Sequence, residues 1–234
     1  MTDIRGLLFD KDGTLFKFAE TWSTWAAQFL RGLADGDTEK AQKLGDLIGY
    51  DYANLVFDRS SVVIAGTPGE IADALLPALP ELSKEELVQR MNSVAETAPV
   101  TEATPLKPLL RNFKTRGLKV GVATNDAEAP ARANLASVDI TDQFDFIAGF
   151  DSGYGGKPEI GQMLAFAGQM DLAPSQIAMV GDSAHDLIAG RTAGMATIAV
   201  LTGMATEDEL APLADVVLPD IGHIPAWLDR VSGV

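Results

Sequence analysis

This chain of 234 residues contains no cysteine and only two histidines. Disulfides and thiolate metal sites are thereby excluded, and a bound metal would have to be held mainly by oxygen. Positive charge is also scarce: 18 Lys and Arg face 33 Asp and Glu, a formal net charge of −15. Such a field repels nucleic acid and anionic membrane surfaces, so neither is expected as a partner, and a small anionic ligand needs a locally positive site. Long hydrophobic runs are missing too. No window approaches 18 uninterrupted apolar residues, and the amino terminus has no basic stretch leading into a long apolar one. Neither a membrane span nor a secretory signal is expected, and a cytoplasmic location fits the lack of cysteine. What the chain does have is 47% hydrophobic residues, enough for a sizeable core. Composition leaves monomer and dimer equally open.

Short runs rich in Val, Ile, Leu and Phe recur without strict polar alternation: GLLFD near residue 8, KVGVAT near 122, FDFIAG near 146, IAMVGD near 179, ATIAV near 198 and DVVL near 217. That is how strands covered on both faces read. From residue 105 onward, helical stretches separate them, so the expected fold class is α/β, a doubly wound parallel sheet. Between the first run and the second lie about ninety residues, far more than a loop or single crossover helix requires. This insertion must fold as a unit of its own. Trp22, Trp25, Ala26, Phe29, Leu30 and Leu33 fall at helical spacing. Thr67 with Pro68 and Glu70, and Ser83 with Glu86, mark two further helix starts. The expected division is a core domain of residues 1–17 and 100–234, with an all-helical insertion of four helices over 18–99.

In an open parallel sheet, ligands bind beyond the carboxyl ends of the strands. The residues there are Asp10, Asp12 and Thr14; Thr124, Asn125 and Asp126; Lys157; and Asp182, Ser183 and Asp186. Each has a plainer account taken alone. Asp10 and Asp12 suit a turn before Gly13, Thr124 and Asn125 suit a helix start, and Asp182 suits a cap. Turn chemistry gives no reason, however, for four strand ends to carry Asp-x-Asp, Thr, Lys and Gly-Asp in that order. Residues 10 and 12 leave an extended chain on one face, with Lys11 on the other. Two carboxylates about 4 Å apart repel by roughly 4 kcal/mol at an effective dielectric near 20, and Asp182 adds a third. A divalent cation offsets that repulsion, and hard oxygen donors select magnesium over zinc.

With FDKDGTLF, VATND, GGKP and VGDSAHDLIAGRTAGM in this order, the chain resembles the haloacid dehalogenase superfamily of phosphohydrolases, and within it phosphoglycolate phosphatase-like members. The resemblance implies a core of that superfamily's Rossmann-like type with an inserted helical cap, and hydrolysis of a small phosphorylated metabolite. It implies Asp10 as nucleophile, Asp12 as general acid and base, and Thr124 and Lys157 as binders of the transferring phosphoryl oxygens. Asp10, Asp182 and the main-chain carbonyl of Asp12 would hold Mg2+, with Ser183 and Asp186 behind them. Gly13 and the amides near Lys11 and Asp12 would contact phosphate, and Asn125 would lie on the substrate side. Lys11 stands where relatives often have an apolar residue; its side chain is expected to point away from Asp10 and to pair with the cap or with Asp126. In the cap, Tyr50, Asp51, Arg59 and Ser60 are candidates for facing the crevice, Arg59 by gripping a substrate carboxylate. Phosphomutase, phosphonate hydrolase and a non-catalytic phospho-acceptor or binding module are the competing readings.

Overall fold

The computed structural model describes residues 3–232. The chain opens with β1 (Gly6–Phe9) and then leaves the sheet for α1 (Phe18–Leu33), α2 (Thr38–Leu47), a ribbon of β2 (Tyr50–Asp51) and β3 (Val56–Phe57), α3 (Pro68–Leu75) and α4 (Lys84–Ala95). It returns through α5 (Leu106–Thr115), β4 (Lys119–Ala123), α6 (Glu128–Ser137), β5 (Phe146–Ala148), α7 (Gly161–Gln169), β6 (Ile177–Gly181), α8 (Ala184–Thr192) and β7 (Ala196–Val200). The last elements are α9 (Glu207–Leu210), β8 (Val216–Leu218) and α10 (Ile224–Ser232).

The main sheet has six parallel strands in the order β5-β4-β1-β6-β7-β8. Burial of both faces explains why these strands are mainly apolar. Leu7 and Phe9 of β1, with Val120, Val122, Ala178 and Val180, pack under α5 and α10. Leu8, Ile177 and Met179 point the opposite way, into Met163 and Phe166 of α7. The strand order reverses on either side of β1, so the crevice expected of a doubly wound sheet opens beyond Phe9.

The inserted segment buries a cluster of its own, running from Phe18 to Ala98 and built around Trp25, Phe29, Leu30, Tyr50 and Leu87. Trp22 meets Trp25 edge-on at 4.9 Å between centroids, and Trp25 stacks on Phe29 at 5.1 Å. The starts of α3 and α4 are closed by reciprocal capping boxes, Thr67 with Glu70 and Ser83 with Glu86. The insertion has its four α-helices and, in addition, the short antiparallel ribbon of β2 and β3. Among the described residues no helix is long and apolar enough to cross a membrane.

Candidate active site

The Asp10 N–H donates to the Val180 carbonyl at 2.8 Å, which fixes this residue at the junction of β1 and β6. The chain then turns: Leu15 N and Phe16 N both donate to the Lys11 carbonyl, at 2.9 and 3.0 Å, and Gly13 N donates to Phe16 O at 2.7 Å. Gly13 has φ +84°, and a Cβ there would lie 2.3 Å from Asp182 Oδ2. Glycine is therefore required twice over, by backbone conformation and by the approach of Asp182 from the end of β6. This turn also departs from the extended chain assumed for residues 10 to 12, because β1 ends at Phe9.

Lys157 arrives from the loop after β5, and its ammonium lies between two carboxylates, 2.5 Å from Asp10 Oδ1 and 2.6 Å from Asp186 Oδ1. Burial opposes its charge, but Asp10 and Asp186 outweigh burial and hold the ammonium above the ordinary lysine range. The other oxygen of Asp186 accepts from Ser183 N and Ser183 Oγ at 3.1 and 2.7 Å, so both of its oxygens are engaged. Carboxylate oxygens of Asp10, Asp182 and Asp186 lie within 4.8 Å of one another, all on buried residues. Burial, with the charges of Asp186 and Asp12 against the relief from Lys157, pushes the Asp10 carboxyl up to about 7. Asp182 is also raised well above the usual range, first by burial and then by Asp10 and Asp186.

Lys11 does not point to solvent. Its side chain is fully buried and its ammonium lies 2.8 Å from Asp12 Oδ2, 3.2 Å from Asp126 Oδ2 and 2.8 Å from Asn134 Oδ1. It also sits 5.7 Å from the centroid of the Trp22 ring, within cation–π range. Burial would lower this ammonium, yet Asp12 and Asp126 hold it above the ordinary lysine value. Both expected pairings occur, with Asp126 and with the cap. The contact with Asp12 was not expected and follows from the bend after Asp10. Asn134 lies on a helix, away from the strand ends: it accepts from Lys11 and donates to the Ala95 carbonyl of α4 at 3.1 Å. Its signal is a polar side chain on the face of α6 that also buries Ala131 and Leu135.

Thr124 keeps its plainer role, its Oγ1 accepting from Asp126 N at 3.1 Å, and its hydroxyl proton remains to donate into the cavity that it lines. Asn125 clamps the Lys157 loop: its Oδ1 accepts from Lys157 N at 2.7 Å, and its Nδ2 donates to Lys157 O at 2.9 Å and to Ala65 O of the insertion at 2.8 Å. With its amide so engaged, Asn125 is a brace rather than a free substrate contact. The expectation for Arg59 is corrected, because its guanidinium pairs with Glu209 at 2.6 Å on the exposed rim. Tyr50 donates to Ser23 O of α1 and Asp51 accepts from the amides of Ala53 and Asn54, so both side chains are engaged within the insertion. The insertion instead faces the cavity with Trp22, Val63 to Gly66 and Asn92, over Asp10, Asp12, Lys157 and Asp182.

Carboxylates at the ends of β1 and β6, with a lysine held between them, form an arrangement suited to phosphoryl groups and divalent cations. A family model for haloacid dehalogenase-like hydrolases matches residues 4–194. The chain belongs to this family. As a haloacid dehalogenase-like hydrolase it is 27% identical to a phosphoglycolate phosphatase of Nitrosospira multiformis, across 98% of this chain and 97% of that protein. It is 30% identical to a phosphoglycolate phosphatase of Rhodospirillum rubrum over 51% of this chain and 50% of that one. With the pyrophosphatase PpaX of Bacillus mycoides it shares 28% identity over 64% of each. The match thus spans between half and two thirds of the length of these last two relatives. Among solved structures, this hydrolase superposes on a phosphatase of the same family from Thermococcus onnurineus with TM-score 0.68 and 20% identity, covering 96% and 98% of the two chains. It superposes on CbbY from Rhodobacter sphaeroides, solved with phosphate, with TM-score 0.65 and 22% identity, covering 97% and 99%. Likeness at that identity is likeness of fold.

Proposed function

We propose that this chain is a magnesium-dependent phosphatase that cleaves a small phosphomonoester by way of an aspartyl phosphate on Asp10, acting in the cytoplasm. Residues 1–17 and 100–234 serve as the catalytic domain and residues 18–99 as the cap that closes over it. The observation that carries this reading is the convergence of Asp10, Asp182, Asp186 and Lys157 at one end of the sheet.

The donor set suits magnesium, being buried carboxylate oxygen without histidine or cysteine. Because both oxygens of Asp186 are engaged by Lys157 and Ser183, Asp10 and Asp182 are assigned as the direct ligands. Asp186 and Ser183 then steady the site from behind. The Asp12 carboxylate is turned to Lys11, so its share in holding the metal rests on its main-chain carbonyl. Bound magnesium would supply positive charge that keeps Asp10 ionised and offsets the incoming phosphoryl dianion.

Asp10 attacks phosphorus, forming an O–P bond as the ester P–O bond breaks, and the leaving alkoxide takes its proton from the Asp12 carboxyl. Water then attacks the same phosphorus, Asp12 takes the water proton, and the Asp10–phosphorus bond breaks to release phosphate. Lys157 and the Thr124 hydroxyl bind the equatorial oxygens during both transfers. The reading is tested by phosphate release from small phosphate esters, beginning with phosphoglycolate, with and without magnesium. Asp10→Asn is expected to abolish turnover, and mass spectrometry of acid-quenched wild type should find a phosphoryl group on the peptide carrying Asp10. Full turnover by Asp10→Asn would refute the assignment.

A further inference from the structure

The cap wall of the cavity carries no charge. Phe18, Trp25, Val63, Ile64, Ile71 and Met91 make it apolar, and the basic side chains at the cavity, Lys157 and His185, both come from the core. Lys157 is already held by Asp10 and Asp186, and the nearby Lys11 by Asp12 and Asp126. Arg59, the cap cation nearest in expectation, is bound to Glu209 outside. Five carboxylates therefore stand against two ammonium groups. Among the described residues, the His185 imidazole alone lines the cavity as a basic group without a carboxylate partner, so an anionic leaving group would face mainly apolar cap surface.

Two polar atoms interrupt this wall. Trp22 and Asn92 line the cavity, and Trp22 Nε1 and Asn92 Oδ1 are buried with no hydrogen-bond partner among the described residues. Trp22 as a residue is only 8% exposed. Its neighbour shows what a structural tryptophan does here: Trp25 Nε1 donates to the Met91 carbonyl at 3.2 Å. Burying an indole N–H and an amide oxygen without partners is unfavourable unless a ligand completes them. The indole can only donate and the amide oxygen can only accept, and a hydroxyl group can answer either of them. The cavity is small, about 50 Å³ including the part over Asp10 and Lys157, which favours a short leaving alcohol.

We propose that Trp22 and Asn92 form a subsite for an uncharged leaving alcohol that carries a second hydroxyl, so the preferred substrate is a short hydroxyalkyl phosphate rather than a phosphorylated carboxylic acid. This rests on the phosphatase reading and narrows it to a substrate class. The test compares kcat/KM of the full chain with magnesium for 2-hydroxyethyl phosphate, ethyl phosphate and phosphoglycolate. The hydroxyalkyl ester is expected to exceed each of the others by about tenfold or more, the usual cost of leaving buried polar groups unmet. Trp22→Phe and Asn92→Leu should each shrink the ratio of 2-hydroxyethyl to ethyl phosphate by about ten- to hundredfold. Faster turnover of phosphoglycolate, or a ratio unmoved in both variants, overturns the subsite and leaves the phosphatase reading standing. No phosphate release from any ester overturns both. If Trp22→Phe fails to fold, Asn92→Leu and the wild-type comparison decide alone.

Discussion

Removing magnesium should make the stability of this protein fall as pH rises through the range where Asp10 ionises. In the unfolded chain Asp10 loses its proton near 3.8, whereas in the folded, metal-free site it holds it up to about 7. A carboxyl raised in this way favours the folded state fully below the unfolded value. That contribution is lost progressively between pH 4 and 7, because ionisation then costs more in the fold than outside it. At ~1.4 kcal/mol per pH unit, the interval from 3.8 to about 7 caps the loss from this group at about 4 kcal/mol. The assay is urea denaturation in chelator at pH 5 and pH 8, for wild type and Asp10→Asn. The variant keeps an oxygen to accept from Lys157 but cannot ionise, so between pH 5 and pH 8 the loss in wild type should exceed that in the variant by up to about 3 kcal/mol, the share left between pH 5 and about 7. Saturating magnesium should remove most of the difference by stabilising the wild type more at pH 8, by about 3 kcal/mol at a hundredfold excess over Kd. Equal pH dependence of the two proteins in chelator would refute the argument that burial beside Asp186 and Asp12 governs Asp10.

Other perturbations follow from the same geometry. Lys11→Met leaves Asp126 and Asp12 without their buried partner and should cost about 3–5 kcal/mol in urea denaturation, with Asp126→Asn in the same chain recovering part of it. Arg59→Ala breaks an exposed pair on the rim and should change stability by less than about 1 kcal/mol and kcat/KM by less than about twofold, whereas a large rise in KM would return Arg59 to the substrate. Gly13→Ala forces a Cβ against Asp182 at a positive φ, so magnesium affinity measured by calorimetry should fall sharply even where circular dichroism shows an intact fold. Asn134→Leu removes the acceptor for Lys11 and the donor to Ala95, and should cost about 1–3 kcal/mol of stability.

The sheet was legible because its strands are buried on both faces and so read as unbroken apolar runs, each followed by a helical pattern. The core of the candidate site was legible for a related reason: in a parallel sheet, a residue just past an apolar run must arrive at the same edge as its counterparts. Asp10, Thr124, Lys157 and Asp182 all do so. The cap lacked such a rule. Arg59 and Trp22 both sit in the insertion, and local pattern assigned the first to the crevice and the second to packing. Yet Arg59 found Glu209, 150 positions away in sequence, while Trp22 both packs on Trp25 and lines the cavity. Only the docking of two separately packed units decides which faces meet, and no periodicity in either unit encodes it.

Lys11 shows what that docking adds. Its ammonium touches Asp12, and through Asn134 it reaches the Ala95 carbonyl at the end of α4, with the Trp22 ring of α1 beside it. The carboxylate assigned to proton transfer is thus joined to two cap helices by a chain of one ion pair, two hydrogen bonds and a ring. Were the cap to swing away, Asn134 would lose Ala95, Lys11 would lose its cover, and water entering around the ammonium would weaken its attraction for Asp12 several-fold as the local dielectric rose. An apolar residue at position 11 would fill the same volume without making that link. The lysine is tolerated in the interior because two carboxylates and an amide of the core meet it, and the cap adds the Trp22 ring beside it and the Ala95 carbonyl that holds Asn134.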